Sequence, residues 1–120
     1  MASIDLTMTL DTIYFDQILA GKKIYETRVY DEKRQKIGLR NVILFKDRDS
    51  DRQFIGIVNE LSYFETFREA IIDCGLRKVL PNVRSLEKAV SLYESFPHKL
   101  GNYKIASEHY GVLRIKLGLL

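Results

Sequence analysis

The run Gly21-Lys22-Lys23-Ile24-Tyr25-Glu26-Thr27-Arg28 concentrates ionisable groups at a spacing that can do chemistry. If residues 23–30 form a strand, Glu26 and Arg28 are two apart and project from one face, with Lys22 and Lys23 at its mouth. A lysine beside an arginine is pushed toward its neutral form, and a neighbouring carboxylate pulls it back toward ammonium. Such a lysine could take a proton from water or a hydroxyl, with the glutamate passing it on. The same set could instead act through charge alone, Lys and Arg binding phosphates and Glu accepting from a base amino group. A face carrying both signs is costly to bury without partners. It is therefore either solvated surface, an ion-pair network contributing little energy, or the lining of a pocket for a polar ligand.

The flanking residues predict the elements that position this set. Asp5–Leu10 alternates loosely and reads as a strand. Asp11-Thr12 offers a helix N-cap, Ile13, Phe15, Ile18 and Leu19 follow a helical stripe, and Gly21 stands where a left-handed residue ends the helix. Strands are expected over 23–30, 41–45 and 53–63, with a charged loop over 31–36, a turn at Gly38 and an exposed hairpin loop over 46–52. Thr66-Phe67-Arg68-Glu69 matches a capping box and launches a helix ending near Gly75. Pro81 breaks the chain and Ser85 caps a further helix, in which Leu86, Ala89, Val90, Tyr93 and Phe96 form a packing stripe stopped by Pro97. After a loop containing Gly101, residues 110–117 read as the closing strand. The order β-α-β-β-β-α-α-β predicts an α+β fold with a largely antiparallel, barrel-like sheet.

Bulk properties narrow the classes. The 120 residues suit one domain spanning 1–120, with 46% hydrophobic and 29% charged residues, as in ordinary soluble globular proteins. No apolar stretch is long enough to cross a bilayer, and Met1–Asp5 lacks the basic and apolar regions of a leader. A single cysteine, Cys74, allows no intrachain disulfide and fits a reducing, cytosolic interior, with the nucleus open to a chain this small. No metal cluster is expected, since His98 and His109 are far apart and read as loop residues, and Cys74 as a small buried hydrophobe. No glycine-rich phosphate cradle occurs, so no cofactor is expected. Net charge is +3, yet residues 21–52 hold ten Lys/Arg against six acids, which is +4, leaving −1 elsewhere. That local excess favours a phosphate-bearing ligand or RNA.

Gly21-Lys22-Lys23-x-x-Glu26-x-Arg28 also resembles the G-x-K-x-x-E-x-R signature of ASCH domains, which have a PUA-like fold. The resemblance extends to Ile37–Phe45, to Tyr63-Phe64-Glu65-Thr66-Phe67-Arg68-Glu69, to Leu80-Pro81 and to Tyr110–Ile115, and so covers most of the chain. It implies a PUA-like, mixed and mostly antiparallel β-barrel with helices packed around it. It further implies RNA or a nucleotide-like ligand as partner, bound in a cleft beside the signature strand. On that reading Lys22, Lys23 and Arg28 supply positive contacts, Glu26 accepts from the ligand or holds Arg28, and Tyr110, from the last strand, is a wall for base stacking. Replacing Glu26 with Ala is then expected to leave the fold intact while removing binding.

The alternative is a small hydrolase of the acetylcytidine amidohydrolase or ribonuclease type, as some small bacterial members of the family are amidohydrolases that deacetylate acetylcytidine. Their catalytic lysine falls on Lys23 and their nucleophilic threonine on Glu26, while Glu65 and Glu69 are candidates for their third catalytic residue. A carboxylate cannot follow the hydroxyl's route, because its acyl product would be a mixed anhydride, but it could activate water. A protein-interaction module is a third class, for which no exposed apolar run speaks.

Overall fold

The computed structural model describes residues 3–120; Met1 and Ala2, with which the segment read as no leader begins, lie outside the described residues. The elements are β1 (Leu6–Leu10), α1 (Thr12–Leu19), β2 (Tyr25–Val29), a 3-10 turn (Arg34–Lys36), β3 (Val42–Asp47), β4 (Gln53–Phe64), α2 (Phe67–Cys74), α3 (Leu76–Val79), α4 (Leu86–Ser95), β5 (Pro97–His98), β6 (Gly101–Asn102), α5 (Tyr103–Tyr110) and β7 (Val112–Leu119). Five strands form one strongly curled sheet, a half-barrel in the order β1-β3-β4-β7-β2, with helices packed around it. Only the β1–β3 pair is parallel among its pairings. The expected α+β, mostly antiparallel, PUA-like architecture is the one observed.

Two apolar clusters occupy the two faces of the sheet. Inside the curl, Phe15 and Ile18 of α1 pack on Ile43, Phe45, Val58, Leu113 and Ile115. On the other face α2, α4 and α5 bring Phe67, Tyr93, Tyr103, Ala89 and Ala106 onto Tyr25, Val29 and Val112. Phe67 stacks on Tyr93 with ring centroids 4.9 Å apart and on Tyr103 at 5.8 Å. Full burial of each such side chain contributes roughly 1.5–3 kcal/mol, so these layers hold the sheet's curvature. On the helix-facing side Arg114 of β7 lies over the Tyr25 and Phe64 rings and donates to Ala70 O (2.7 Å) and Asp73 Oδ2 (2.8 Å), tying α2 to the sheet.

Several local expectations need correction. Asp11 precedes α1 but its carboxylate makes no cap; it accepts from Arg48 Nε instead (2.6 Å). Thr66 and Ser85 do cap their helices, accepting from Glu69 N and Lys88 N. The 46–52 segment is a hairpin turn, but Asp47 within it is buried because Thr12, Ser50 and Arg52 all donate to its carboxylate. His98 lies in the β5–β6 hairpin and His109 in α5, neither of them in a loop. Cys74, read as buried, is half-buried at the end of α2.

Residues 103–110, read as loop and strand start, are the helix α5. Asn102 caps it by accepting from Ile105 N (2.9 Å), and Gly111 stops it at φ 79°, ψ −170°. A Cβ at Gly111 would also lie 3.2 Å from Phe64 O. Only glycine adopts that region readily, so Gly111→Ala is expected to cost about 1–3 kcal/mol. Chemical denaturation would read it, and an unchanged midpoint would contradict this account of the turn.

Candidate functional site

The sheet curls without closing. β1 and β2 are its two free margins, and a hollow of about 390 Å³ lies where they face each other. Thr9 and Leu10 line it from β1, Glu26, Thr27 and Arg28 from β2, Tyr14 from α1, and Leu80, Tyr93, Phe96 and Tyr103 from the helical side. The alternation in β2 divides its residues. Tyr25 and Val29 join the helix-facing core, whereas Glu26 and Arg28 stand opposite Ile115 and Leu113, which face the inside of the curl. Arg28 Nη2 reaches across the opening to donate to Thr9 O of β1 (3.3 Å).

Gly21, at φ 74°, turns the chain after α1, and the N–H groups of Lys22 and Lys23 both donate to Gln17 O. That turn sends the two lysines in opposite directions. Lys23 is buried at 2% exposure, while Lys22 is exposed and lines none of the described hollows. Lys23 Nζ donates to Val79 O of α3, stands 3.7 Å from Glu26 Oε1 and lies over the Tyr14 ring. Ile24 N donates to Lys78 O (2.9 Å), so α3 is held on the site twice. Glu26, 5% exposed, accepts from Thr27 N at Oε1 (3.1 Å) and from Arg28 Nη2 at Oε2 (3.1 Å).

The electrostatics follow from this packing. Burial lowers the Lys23 ammonium below the usual lysine range, with Arg28 adding to the effect and Glu26 opposing it. Burial alone would raise the Glu26 carboxyl, but Arg28, Lys23 and the Thr27 N–H together outweigh it and hold the group below the usual glutamate range. Burial weakens the Arg28 cation, yet Glu26, helped by Tyr103, more than restores it and its value is raised. Glu26 is thus the shared counter-ion of two shielded cations. The expectation that its truncation spares the fold treats it as a surface carboxylate, and the structure places it among buried charges.

The structure brings Lys23, Glu26 and Arg28 together and leaves out two other candidates. Tyr110 is not on the last strand but ends α5; its hydroxyl donates to Glu32 (2.7 Å) and it does not line the hollow. Lys22 points to solvent for the reason given above. Glu65 and Glu69 also lie away from the hollow, and Glu69 is engaged with Thr66 at the start of α2. Among the described residues no group of three or more His, Cys, Asp or Glu side chains is placed to hold a metal, and no helix is long and apolar enough to cross a membrane.

Four contributors escape the sequence reading. Arg34 and Arg48 enter the hollow from the 3-10 turn and the β3–β4 hairpin. Tyr93, read as packing, does stack in the core, but it lines the hollow too, and its hydroxyl has no hydrogen-bond partner among the described residues. Thr27 Oγ1, also lining it, is likewise unpartnered. The two hydroxyls stand close to one another, and Thr27 lowers the Tyr93 phenol's pKa against the larger, opposite effect of burial, yet neither makes a hydrogen bond of good geometry. A tyrosine in an otherwise apolar stripe was the available signal.

Comparison with known proteins agrees with this architecture. The ASCH domain model matches residues 8–118. The crystal structure of hypothetical protein PH0355 superposes with a TM-score of 0.82 at 30% identity, covering 96% of this chain and 98% of that one. The solution structure of protein PF0455 from Pyrococcus furiosus gives 0.75 at 30% identity, covering 96% of each chain. Among curated proteins none matches this chain. With the family model spanning almost its whole length, the chain belongs to the ASCH domain family.

Proposed function

We propose that the hollow between β1 and β2 is a binding cleft for RNA or a nucleotide-like ligand, with Lys23, Glu26 and Arg28 as its ionic floor. The observation that carries this reading is the burial of Lys23 and Glu26, with the half-buried Arg28 paired to Glu26, beside an aromatic wall of Tyr14, Tyr93, Phe96 and Tyr103. The hollow's size of about 390 Å³ falls within the range for small-molecule sites, roughly 300–1,000 Å³. Its lining has four cations (Lys23, Arg28, Arg34, Arg48) against two acids (Asp11, Glu26), a balance suited to a phosphate-bearing partner. ASCH domains are in general RNA-binding, and aromatic faces with hydroxyls are the groups by which single-stranded bases are held.

Binding is favoured over hydrolysis by the state of Glu26. A carboxylate held below its usual range, with both oxygens engaged, is a weak base for activating water. The test is titration with nucleosides, nucleotides and short RNA, following backbone NMR shifts. Shifts centred on residues 9–14, 23–28, 34, 48 and 93–103 are expected; shifts centred away from these and the adjoining wall of the hollow, or none, would sink the cleft. Release of acetate from acetylcytidine, or cleavage of labelled RNA, abolished by Lys23→Met would instead promote the hydrolase reading.

Tyr93→Phe gives a second check. Removing a buried hydroxyl that makes no hydrogen bond of good geometry should leave thermal stability nearly unchanged, while ligand affinity falls roughly five- to tenfold. Equal affinity in parent and variant would exclude Tyr93 as a contact.

A further inference from the structure

A second hollow of about 200 Å³ opens beside the cleft and shares Thr9, Arg28, Arg34 and Arg48 with it. The remainder of its wall is residues 6–8 of β1, Lys33 and Ile37. Four cations thus line it, brought from β2, the 3-10 turn with the residue before it, and the β3–β4 hairpin, and no acid does.

Acids do stand nearby, each paired with its own arginine. Arg28 uses Nη2 on Glu26 and Thr9 O, Arg34 uses Nη1 on Asp31, and Arg48 uses Nε on Asp11. A guanidinium carries five N–H donors. Among the described residues no side-chain hydrogen bond engages Arg34 Nη2 or either terminal nitrogen of Arg48, and Lys33 has no ion pair, whereas Arg28 also has the Tyr103 hydroxyl beside it. The acids therefore orient the guanidinium groups and leave donors unused. Such an array matches the tetrahedral oxygens of a phosphate, which arginine recognises bidentately.

Asp31 is itself held from behind. His98 Nε2 lies 2.9 Å from Asp31 Oδ2, and Leu100 N donates to His98 Nδ1 (3.1 Å). With Nδ1 accepting, Nε2 carries the proton and donates to Asp31. Both ring nitrogens are hydrogen-bonded, so His98 holds the Asp31–Arg34 pair in place.

Resting on the cleft reading above, we propose that this side chamber is a phosphate subsite: the cleft takes the base and the chamber takes a phosphate attached to the same nucleotide. The ligand class is then a phosphorylated nucleotide or a phosphodiester of RNA, not a free nucleoside. Lys33, Arg34 and Arg48 are the residues that make the distinction, and Arg28 joins the two compartments.

The experiment is a calorimetric titration of the intact chain with the four common ribonucleosides, their 3′- and 5′-monophosphates and the corresponding dinucleoside monophosphates. Parent and Lys33→Gln/Arg48→Gln chains are compared at low and high salt. Both replaced residues are exposed, so the variant is expected to fold, and its thermal midpoint verifies that. In the parent, at least one phosphorylated form should bind roughly tenfold or more tighter than its nucleoside, the scale of a charge-assisted hydrogen bond. That preference should shrink to about threefold or less in the variant and weaken with salt. A gain confined to monophosphates assigns the chamber to free nucleotides, and an equal gain for dinucleotides assigns it to the RNA backbone. Nucleosides binding as well as every phosphorylated form, or a variant keeping the full preference, overturns the subsite and leaves the cleft standing. Failure of every probe to bind removes the cleft and the chamber together.

Discussion

Glu26→Gln is expected to lower the unfolding free energy by about 3–5 kcal/mol, the range found when one member of a buried ion pair is removed. The size follows from what is left behind. Gln preserves shape and can still accept from Thr27 N, but Lys23 and Arg28 lose the only carboxylate with which either forms an ion pair among the described residues. Lys23 is 2% exposed, so its charge has little recourse to water. Acid titration should show the same pair. Glu26 sits below the ordinary 4.5 in the folded chain, so its stabilisation is complete above that value and is lost as pH falls through the lower folded value. Thermal midpoints measured from pH 7 down to about pH 3 should therefore fall more steeply in the parent than in Glu26→Gln. Parallel curves, or a variant as stable as the parent at neutral pH, would show that the carboxylate is not the counter-ion described here.

Lys23→Met should behave in the opposite way, sparing the fold and removing function. Methionine fills the lysine's space with no charge to desolvate. Glu26 keeps Arg28 and the Thr27 N–H, so no unpaired carboxylate is created. The cost is the donor lost to Val79 O, and the net change should lie within about 1.5 kcal/mol of the parent. Ligand affinity, by contrast, should fall roughly 10- to 100-fold, the scale of a charged hydrogen bond made in a shielded site. Denaturation and titration on one preparation separate the two effects. A folded Lys23→Met chain that binds as tightly as the parent would take Lys23 out of the site.

Legibility in the sequence tracked the range of the interactions involved. Glu26 and Arg28 could be placed on one face because strand alternation is local, and Thr66, Ser85 and Gly21 were readable because caps and stops act within a few residues. The alternating pattern could not say whether that face meets water or protein, since this depends on how far the sheet curls. Lys22 and Lys23 are chemically alike in sequence, and only the geometry of the turn at Gly21 separates them. Residues 110–117 read as one strand, with Gly111, Val112, Leu113, Ile115 and Leu117 in it; Asn102 as cap and Gly111 as stop are the local signals that mark the helix between them. Arg34 and Arg48 sat in segments that read as charged loops, and their arrival at one place is a matter of long-range pairing.

The two walls of the cleft have separate origins along the chain. The ionic floor and its opposing margin come from residues 9–28, whereas the aromatic side, Tyr14 apart, comes from residues 80–103. Apart from the bonds from Lys23 and Ile24 to α3 and from Gln17 to Asn82, few hydrogen bonds join these stretches. If the hollow binds as proposed, the two stretches would give separate handles on its preference, one ionic and one aromatic, joined through the core that Tyr93 and Tyr103 share with Tyr25 and Val29.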